Sequence, residues 1–334
     1  MKIIIDAMGG DHAPAEILKG AAQAVKEYHV SIVAVGNAEK IAQAVKEHSI
    51  DMDQITIVNA SEEISMCDEP TAAIRHKKDS SMVVGMRMLA AGEGDAFVSA
   101  GSTGALLAGA TLIVKRLKGV KRPAIGTVSP GANHPFLLLD SGANHDCRPE
   151  MLRQFGLMGS VYMKRILGVP SPRVGLVNIG AEETKGTELQ VEAYGLMKEA
   201  SYNFIGNVEA REVPLGGCDV AVCDGFTGNI ILKVTEGLAK LFMSEIKAIF
   251  MKWLPNKLAA AVVKKDLGAF KKKFDSAEYG GALLLGTKKP VIKAHGSSDA
   301  KAFYNAIRQA ISCCENNIIG EMESQLAAET AEKE

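Results

Sequence analysis

Short apolar segments alternate along this chain with longer segments of helical periodicity, and this alternation limits the possible fold more than any other feature. Nine segments predict strands: KIIIDA, SIVAVG, QITIVNA, DAFVSAG, FLLLDSG, RVGLVNIG, YNFIGN, DVAVCDG and PVIKAHG. Helical spacing occupies, for example, residues 15–28, 80–91, 103–117 and 149–167. Several strands are apolar at nearly every position, which is typical of parallel strands covered by helices on both faces. The pattern predicts a three-layer α/β fold around a mostly parallel sheet.

Length and composition exclude several other classes of protein. The chain has 334 residues, 47% of them hydrophobic and 23% charged, which is typical of a globular protein with a substantial core. No apolar segment approaches the ~20 residues that span a bilayer, and the first residues do not resemble a secretory signal. The six cysteines show no metal-ligand spacing and are predicted to be free thiols. We expect a cytoplasmic protein without a metal or cofactor.

The chain contains no repeat and no long Pro/Ser linker. We therefore expect one large α/β domain over residues 1–320, with a basic amphipathic helical hairpin at 238–274 inside it. Residues 321–334 read EMESQLAAETAEKE, which predicts an acidic tail that frays.

Five predicted strands end in loops rich in Gly, Ser, Thr, Asn and acidic residues: MGGDHAP, GSTG, GAEETKG, GFTGN and GSSD. In a doubly wound sheet such loops lie at the carboxyl ends of the strands, where ligands bind. Helix N-termini there offer free N–H groups to anions. A single loop of this kind is also explained by capping or a tight turn. Five of them predict an anion-binding crevice, with the loops of neighbouring strands gathered along one edge.

The crevice lacks the dinucleotide, P-loop, zinc-protease and serine-hydrolase motifs. Cys223 is interpreted as a core residue, because Asp219 and Asp224 would raise the pKa of its thiol. Asp6 and Asp11 suit either Mg²⁺ or capping of the turn and the following helix, with capping favoured for Asp6. Polar candidates for binding and proton transfer are Asp6, Asp11, His12, Asn178, Glu182, Lys185, Asn207, Glu209, Asp224, Asn229, Lys233 and His295.

The segment 238–274 carries nine lysines and two acids, with apolar residues at helical spacing and the only tryptophan. Such a hairpin suits anionic lipid headgroups or an acidic protein surface. Alternatively, its apolar stripe packs into the core or a dimer interface while the lysines face water. Nucleic acid is a poor alternative as a partner, because aromatic stacking residues and a domain-wide basic charge are missing. The contact candidates are Lys247, Lys252, Trp253, Lys257, Lys264, Lys265, Lys271, Lys272 and Lys273.

Nine motifs in order, from residue 1 to about 319, closely resemble the bacterial phosphate acyltransferases of phospholipid synthesis, the PlsX type. They are DAMGGDHAP, DEP…IRHKKDSSM, SAGSTGALLAGA, LLLDSGANHDCRPE, GLVNIGAEETKG, NFIGNVEAR, CDGFTGNIILK, YGGALLLG and VIKAHGSSDAKAFYNAIRQA. The resemblance implies reversible acyl transfer from acyl carrier protein to inorganic phosphate. It also implies a homodimer, peripheral attachment to the inner face of the cell membrane and a membrane glycerol-3-phosphate acyltransferase that consumes the acyl phosphate. The implied fold is similar to that of isocitrate and isopropylmalate dehydrogenases, without nicotinamide.

Together with this resemblance, the loop residues suggest roles. Phosphate is the nucleophile, so the protein needs to bind it and to stabilise the oxyanion. Lys185 is the first candidate to neutralise phosphate or the oxyanion, Asn229 is a candidate oxyanion donor, and His12 moves a proton or orients phosphate. The predicted phosphate-binding residues are Gly9, Gly10, Asp11, Gly101, Ser102, Thr103 and Gly104. Two alternatives stay open: a phosphotransacetylase-like enzyme that uses coenzyme A, and a catalytically silent membrane-associated scaffold.

Overall fold

The computed structural model describes residues 1–331, and the side chains of all of these except Ser276, Thr330 and Ala331. Eleven strands in this part of the chain form one sheet. The strands are β1 (Lys2–Asp6), β2 (Ser31–Gly36), β3 (Ile55–Asn59), β4 (Ala96–Ser99), β5 (Ala124–Ser129), β6 (Phe136–Leu139), β7 (Val174–Asn178), β8 (Phe204–Glu209), β9 (Val220–Val222), β10 (Ala282–Leu285) and β11 (Val291–Lys293).

Helices connect and cover these strands. They are α1 (Ala15–Tyr28), α2 (Ala38–His48), α3 (Pro70–His76), α4 (Ser81–Ala91), α5 (Thr103–Gly109), α6 (Pro149–Ile166), α7 (Glu188–Lys198), α8 (Gly225–Met251), α9 (Leu254–Val262), α10 (Lys264–Phe274), α11 (Ala300–Glu315) and α12 (Ile318–Ala331). A π-helical segment, Ala110–Val114, continues α5.

The strand order is β3-β2-β1-β4-β11-β10-β5-β6-β9-β7-β8. The five strands β3, β2, β1, β4 and β11 pair in parallel, and so do the four strands β6, β9, β7 and β8. Between these groups, β10 is antiparallel to both of its neighbours and β5 is antiparallel to β6. Following these pairings across the sheet, the two parallel groups run in opposite directions.

Helices cover both faces of the sheet. Ile3 and Ile5 on β1 belong to a core cluster that includes residues of α1, α6 and α11, whereas Ile4 belongs to a cluster with residues of α4 and α5. Successive side chains of a strand point to opposite faces, so one buried strand contributes to both clusters. The α/β fold with a large, mostly parallel sheet, predicted from the sequence, is confirmed.

All nine predicted strands are present, and helix α1 has the predicted bounds. The sequence pattern did not predict β5 and β10. These two strands make the antiparallel pairings, and β5 carries polar residues and lies between prolines, so its strand signal is weak.

The reversal corrects the expectation that five strand ends share one edge. The loops after β1, β4 and β11 lie at the ends of neighbouring parallel strands. The loops after β7 and β9 follow strands that run the opposite way, so strand direction places them at the other edge.

The predicted fraying of residues 321–334 is wrong as far as residue 331. Residues up to Ala331 belong to α12, in which Met322 and Leu326 are buried one turn apart, and Glu329 forms an ion pair with Arg153 at 3.0 Å. Burial of this apolar pair stabilises the helix, because most helical stability in proteins comes from packing of an apolar face. Residues 332–334 lie outside the described part.

We predict that Gly228 is essential for docking of α8. A Cβ at Gly228 would lie 1.9 Å from the carbonyl oxygen of Asp140, whereas a Cβ at Gly237 in the same helix meets no atom within 4 Å. Gly228→Ala should lower the free energy of unfolding by about 1–3 kcal/mol or more. Gly237→Ala should raise it by about 0.5–1 kcal/mol, because alanine favours helix. Urea unfolding measures both, and equal effects of the two substitutions would contradict the packing described.

Candidate functional site

The loop after β1 is held by the carboxylate of Asp6, which is only 2% exposed. Its Oδ1 accepts hydrogen bonds from Ser81 Oγ at 2.6 Å and from the Met8 amide at 3.2 Å, and its Oδ2 accepts one from Ser99 Oγ at 2.7 Å. Burial raises the pKa of Asp6, and these donors oppose the rise. Asp6 thus joins the turn to α4 and β4, in agreement with the capping interpretation.

Three loops meet beside this carboxylate. A Cβ at Gly9 would lie 2.7 Å from Gly101 N, which shows that the loops after β1 and β4 are in backbone contact. Gly10 has φ +107°, and a Cβ there would lie 3.0 Å from Gly296 O in the loop after β11. The amide of Asp11 donates to the same oxygen at 2.8 Å. The structure therefore brings together three of the five predicted loops, those after β1, β4 and β11.

The other predicted phosphate-binding residues follow in the β4 loop. Ser102 is buried, and its Oγ accepts a hydrogen bond from the Ala105 amide at 3.5 Å. Thr103 is exposed, Gly104 is half-buried, and His12 is exposed in the β1 loop. The hydroxyl of Thr103 and the imidazole of His12 are therefore accessible to a ligand.

Asp6 and Asp11 are the two residues that the sequence offers as alternative ligands of Mg²⁺. Asp11 is exposed, and it does not cap α1, whose N-cap is Pro14 without a side-chain hydrogen bond. Within residues 1–331, no group of three or more His, Cys, Asp or Glu residues is arranged to hold a metal ion.

Lys293, at the end of β11, is a site residue that the sequence reasoning missed. Its side chain is 9% exposed, and its Nζ donates to Ala100 O at 3.3 Å and to Ala294 O. Burial lowers the pKa of Lys293 to about 8, against the opposing effect of the Asp6 and Asp11 charges. The available signal was a lysine inside the otherwise apolar strand PVIKAHG, since lysines are almost never fully buried without a reason.

Helix α8 begins at the end of β9. Asp224 caps it by accepting hydrogen bonds from the amide and hydroxyl of Thr227 at 2.9 and 2.7 Å. Asn229 is exposed and lies beside Gly142, since a Cβ at Gly142 would be 3.6 Å from Asn229 Oδ1. Asp224 thus has a structural partner for its carboxylate, whereas the Asn229 amide faces the loop after β6.

Lys233 lies on α8 one turn after Asn229, and its charge affects Lys293 at the end of β11 and His295 in the loop that follows. Its charge contributes to lowering the pKa of both Lys293 and His295, with desolvation as the larger cause in each case. Lys233 Nζ pairs with Glu236 at 3.0 Å, and His295 Nδ1 lies 2.9 Å from Ser297 Oγ. The structure therefore brings these two sequence candidates near the cluster of three loops.

The remaining candidates form a second cluster after β7 and β8. Asn178 Nδ2 donates to Lys185 O at 2.9 Å, and Asn207 Nδ2 donates to Glu182 O at 2.8 Å. The carboxylate of Glu209 pairs with a neighbouring arginine at 2.9 Å. Asn207 Oδ1 is buried and has no hydrogen-bond partner within residues 1–331. In that part of the chain no hydrogen bond or ion pair joins this cluster to the three-loop cluster.

Cys223 is 2% exposed. Burial raises the pKa of its thiol well above the ordinary value, and the charges of Asp224 and Asp140 raise it further. The thiolate needed for nucleophilic attack is therefore disfavoured, as expected for a core cysteine.

The segment 238–274 forms the end of α8 together with α9 and α10, and no residue of α9 or α10 is buried. Its apolar stripe does not pack into the core of this chain. No helix of residues 1–331 combines the length and apolar character needed to cross a membrane. Within the segment 238–274, the exposed large apolar side chains are Leu238, Leu241, Phe242, Ile249, Met251, Trp253, Leu254, Leu258, Val262, Phe270 and Phe274.

Comparison with known proteins places these features in a family. The model of a family described as "Fatty acid synthesis protein" matches residues 1–321. A phosphate acyltransferase of Alkaliphilus oremlandii is 51% identical over 319 residues, which cover 96% of this chain and 95% of that one. A phosphate acyltransferase of Clostridium botulinum is 50% identical over 327 residues and covers 98% of each chain.

Solved structures with the same fold are more distant in sequence. A phosphotransacetylase from Streptococcus pyogenes superposes with a TM-score of 0.63 at 17% identity, over 96% of this chain and 94% of that one. The EutD phosphotransacetylase from Staphylococcus aureus gives a TM-score of 0.61 at 17% identity, over 95% and 94%. At this identity the likeness concerns the fold.

We predict that Lys293 makes stability depend on pH in the alkaline range. Its pKa is about 8 in the folded chain against an ordinary 10.5, so between these values the unfolded chain binds more protons and stability rises with pH. The slope attributable to Lys293 should be about 1 kcal/mol per pH unit. Urea unfolding of the wild type and of Lys293→Met from pH 8 to 10 isolates it, because other groups titrate in both proteins. Equal slopes would contradict the prediction.

Proposed function

The chain belongs to the phosphate acyltransferase family, and we propose that it transfers a long-chain fatty acyl group reversibly from acyl carrier protein to inorganic phosphate. Family membership makes it an acyltransferase of fatty acid and phospholipid synthesis; the carrier-protein donor is the finer part of the proposal. The observation that carries the phosphate site is the meeting of three glycine-containing loops around the buried Lys293.

The proposed reaction needs no side-chain nucleophile. An oxygen of phosphate attacks the thioester carbonyl carbon, and a tetrahedral oxyanion forms. The carbon–sulfur bond then breaks, giving acyl phosphate and the carrier thiolate, which takes up a proton. Positioning of the two reactants contributes up to roughly 7–11 kcal/mol, and loss of one oxyanion donor costs about 2.7–4 kcal/mol.

Within this proposal the three-loop cluster binds phosphate through the backbone of Gly9, Gly10, Gly101 and Gly104 and through the side chains of Ser102 and Thr103. Asp11 orients the loops through the hydrogen bond that its backbone amide donates to Gly296 O. The exposed His12 moves a proton or orients phosphate.

Stabilisation of the oxyanion is proposed for residues outside that cluster. Asn229, beside Gly142, is the candidate donor, and Lys185 is the candidate cation for the oxyanion or phosphate. The unpaired acceptor of Asn207, in the same second cluster as Lys185, supports a ligand-binding role for the loops after β7 and β8.

The exposed hairpin of residues 238–274 is proposed as the contact with partners. Its lysines alternate with exposed apolar side chains, and Trp253 is 61% exposed. This combination suits an anionic lipid surface or the acidic surface of acyl carrier protein. We also propose that the cytoplasmic chain is a homodimer, attached peripherally to the membrane where a glycerol-3-phosphate acyltransferase uses its product.

Two finer predictions about architecture belong to the same proposal. One is the likeness to the isocitrate and isopropylmalate dehydrogenase fold. The other is a single acyltransferase domain over residues 1–320.

A coenzyme A-dependent phosphotransacetylase is the second candidate, and its support is the fold shared with two solved phosphotransacetylases. A silent membrane scaffold is the third, and its support is the exposed basic hairpin. Turnover distinguishes the scaffold from the two enzymes. The choice between acyl carrier protein and coenzyme A distinguishes the two enzymes from each other.

We predict that the purified chain, given acyl phosphate and acyl carrier protein, forms acyl carrier protein. The reverse direction is convenient because mass spectrometry detects the acylated carrier directly. The reaction should be inhibited by inorganic phosphate and should fail with coenzyme A. Acylation of coenzyme A alone would favour the phosphotransacetylase, and absence of turnover in a folded chain would favour the scaffold.

The same assay tests Lys185. Lys185→Met should lower turnover by about 100-fold, the effect expected for loss of one group that stabilises the oxyanion. Lys198→Met is the matched control, because Lys198 is an exposed lysine that pairs with Glu183 on the surface. Equal turnover of the two variants would remove Lys185 from the mechanism.

We predict that the hairpin binds anionic membranes through the exposed apolar residues of α9, called its tip here. Leu258 and Val262 are 63% and 85% exposed. Replacing both by Asp should weaken binding to phosphatidylglycerol vesicles at least about tenfold, because two apolar side chains no longer leave water. Leu215→Asp, at a 64% exposed site outside the hairpin, is the control. Co-sedimentation measures binding, and an unchanged double variant would contradict membrane contact at this tip.

A further inference from the structure

Lys293 is a buried cation that forms no ion pair within residues 1–331, although the charges of Asp6 and Asp11 act on it from a greater distance. Its Nζ contacts the carbonyl oxygens of Ala100 and Ala294, and within residues 1–331 no carboxylate lies within ion-pair distance of it. Burial of an ammonium group is costly unless an opposite charge compensates for it. Because the Asp6 and Asp11 charges act from beyond ion-pair distance, they compensate this burial only in part, and the ammonium group can still bind a negatively charged ligand.

The position of this ammonium group coincides with the meeting of the three loops. Ala100, which accepts its hydrogen bond, is the residue that a Cβ at Gly10 would approach to 3.0 Å. Gly10 also approaches Gly296, which lies three residues after Lys293 in the loop after β11. The cation is thus adjacent to the backbone of the loops after β1, β4 and β11.

One donor of Lys293 is free for a ligand. An ammonium group has three N–H donors, and the two carbonyl oxygens use two of them. Carbonyl oxygens neutralise no charge and no carboxylate within residues 1–331 pairs with this group, so the third donor can bind an anion. We infer that Lys293 is the cation that binds the phosphate of the reaction in the three-loop cluster.

Other cations near the loops are less suited to this task. Lys233 is exposed and already pairs with Glu236 at 3.0 Å, and Lys185 is exposed in the second cluster. Because water screens an exposed charge, a buried ammonium interacts more strongly with an anion at the same distance. Lys233 lies near the same loops, where its charge attracts phosphate, whereas the lowered pKa of His295 disfavours a charge on that imidazole.

This inference rests on the proposed function, and its test does not use turnover. Isothermal titration of inorganic phosphate into the full chain measures binding without an acyl donor. Lys293→Met should bind phosphate at least about tenfold more weakly than the wild type, the loss expected for one charged hydrogen bond. Lys289→Met, which removes an exposed lysine before the start of β11, should bind as the wild type does.

A second readout separates binding from structure. Phosphate should raise the Tm of the wild type and of Lys289→Met but not of Lys293→Met, whereas a merely structural lysine would leave the phosphate-induced shift unchanged. Lys293→Gln, which keeps a donor without the charge, replaces Lys293→Met if the latter does not fold. Phosphate affinity within twofold of the wild type in the folded variant, or no phosphate binding by the wild type, would overturn the inference. Phosphate binding that depends on Lys293 in a chain without acyl transfer would support it and contradict only the proposed reaction.

Discussion

The buried carboxylate of Asp6 is the interaction on which the candidate site depends. It lies at the end of β1 and accepts hydrogen bonds from two serine hydroxyls, one on α4 and one on β4, and from the turn that carries Gly9. A buried carboxylate is tolerated only when donors surround it, so the same network that satisfies Asp6 also sets the relative position of three chain segments. The glycine turn is therefore held against the β4 loop, and this preorganisation reduces the entropy cost of the phosphate binding proposed there.

The reversal of strand direction at β5 and β10 is the second constraint. It places the loops after β1, β4 and β11 together and directs those after β7 and β8 the other way. Helix α8 spans part of this separation, since it begins at β9 and brings Lys233 near the β11 loop. A reaction between two substrates of different chemistry fits two groups of polar loops. In the proposed function the three-loop cluster binds phosphate, and the second group, with Lys185, is available to the acyl donor.

The lysines of the 238–274 hairpin and Lys293 lie in two different environments, and the consequences of their charges differ. The lysines of the 238–274 hairpin are exposed, so each contributes weakly and their effect depends on number and ionic strength. Lys293 is buried, so a single charge has a large local effect on an anion. In the proposals made above, the same residue type therefore serves a surface contact in one place and a specific binding role in the other. Net charge near neutrality, −1 for the whole chain, conceals both.

The sequence by itself determined the secondary structure around the site: nine strands, the helix of residues 15–28 and the glycine loops at strand ends, because periodicity and turn chemistry are local properties. The family motifs are likewise local. The sequence did not determine the direction of β6 to β9, which follows from β5 and β10, or the burial of Met322 and Leu326 in α12. Only the tertiary structure decided which loops meet and which lysine is buried, because strand pairing and burial depend on contacts between residues far apart in the chain. Lys293 shows the difference: its position in a strand was predictable, whereas its burial without an ion pair arises from the packing of three distant loops.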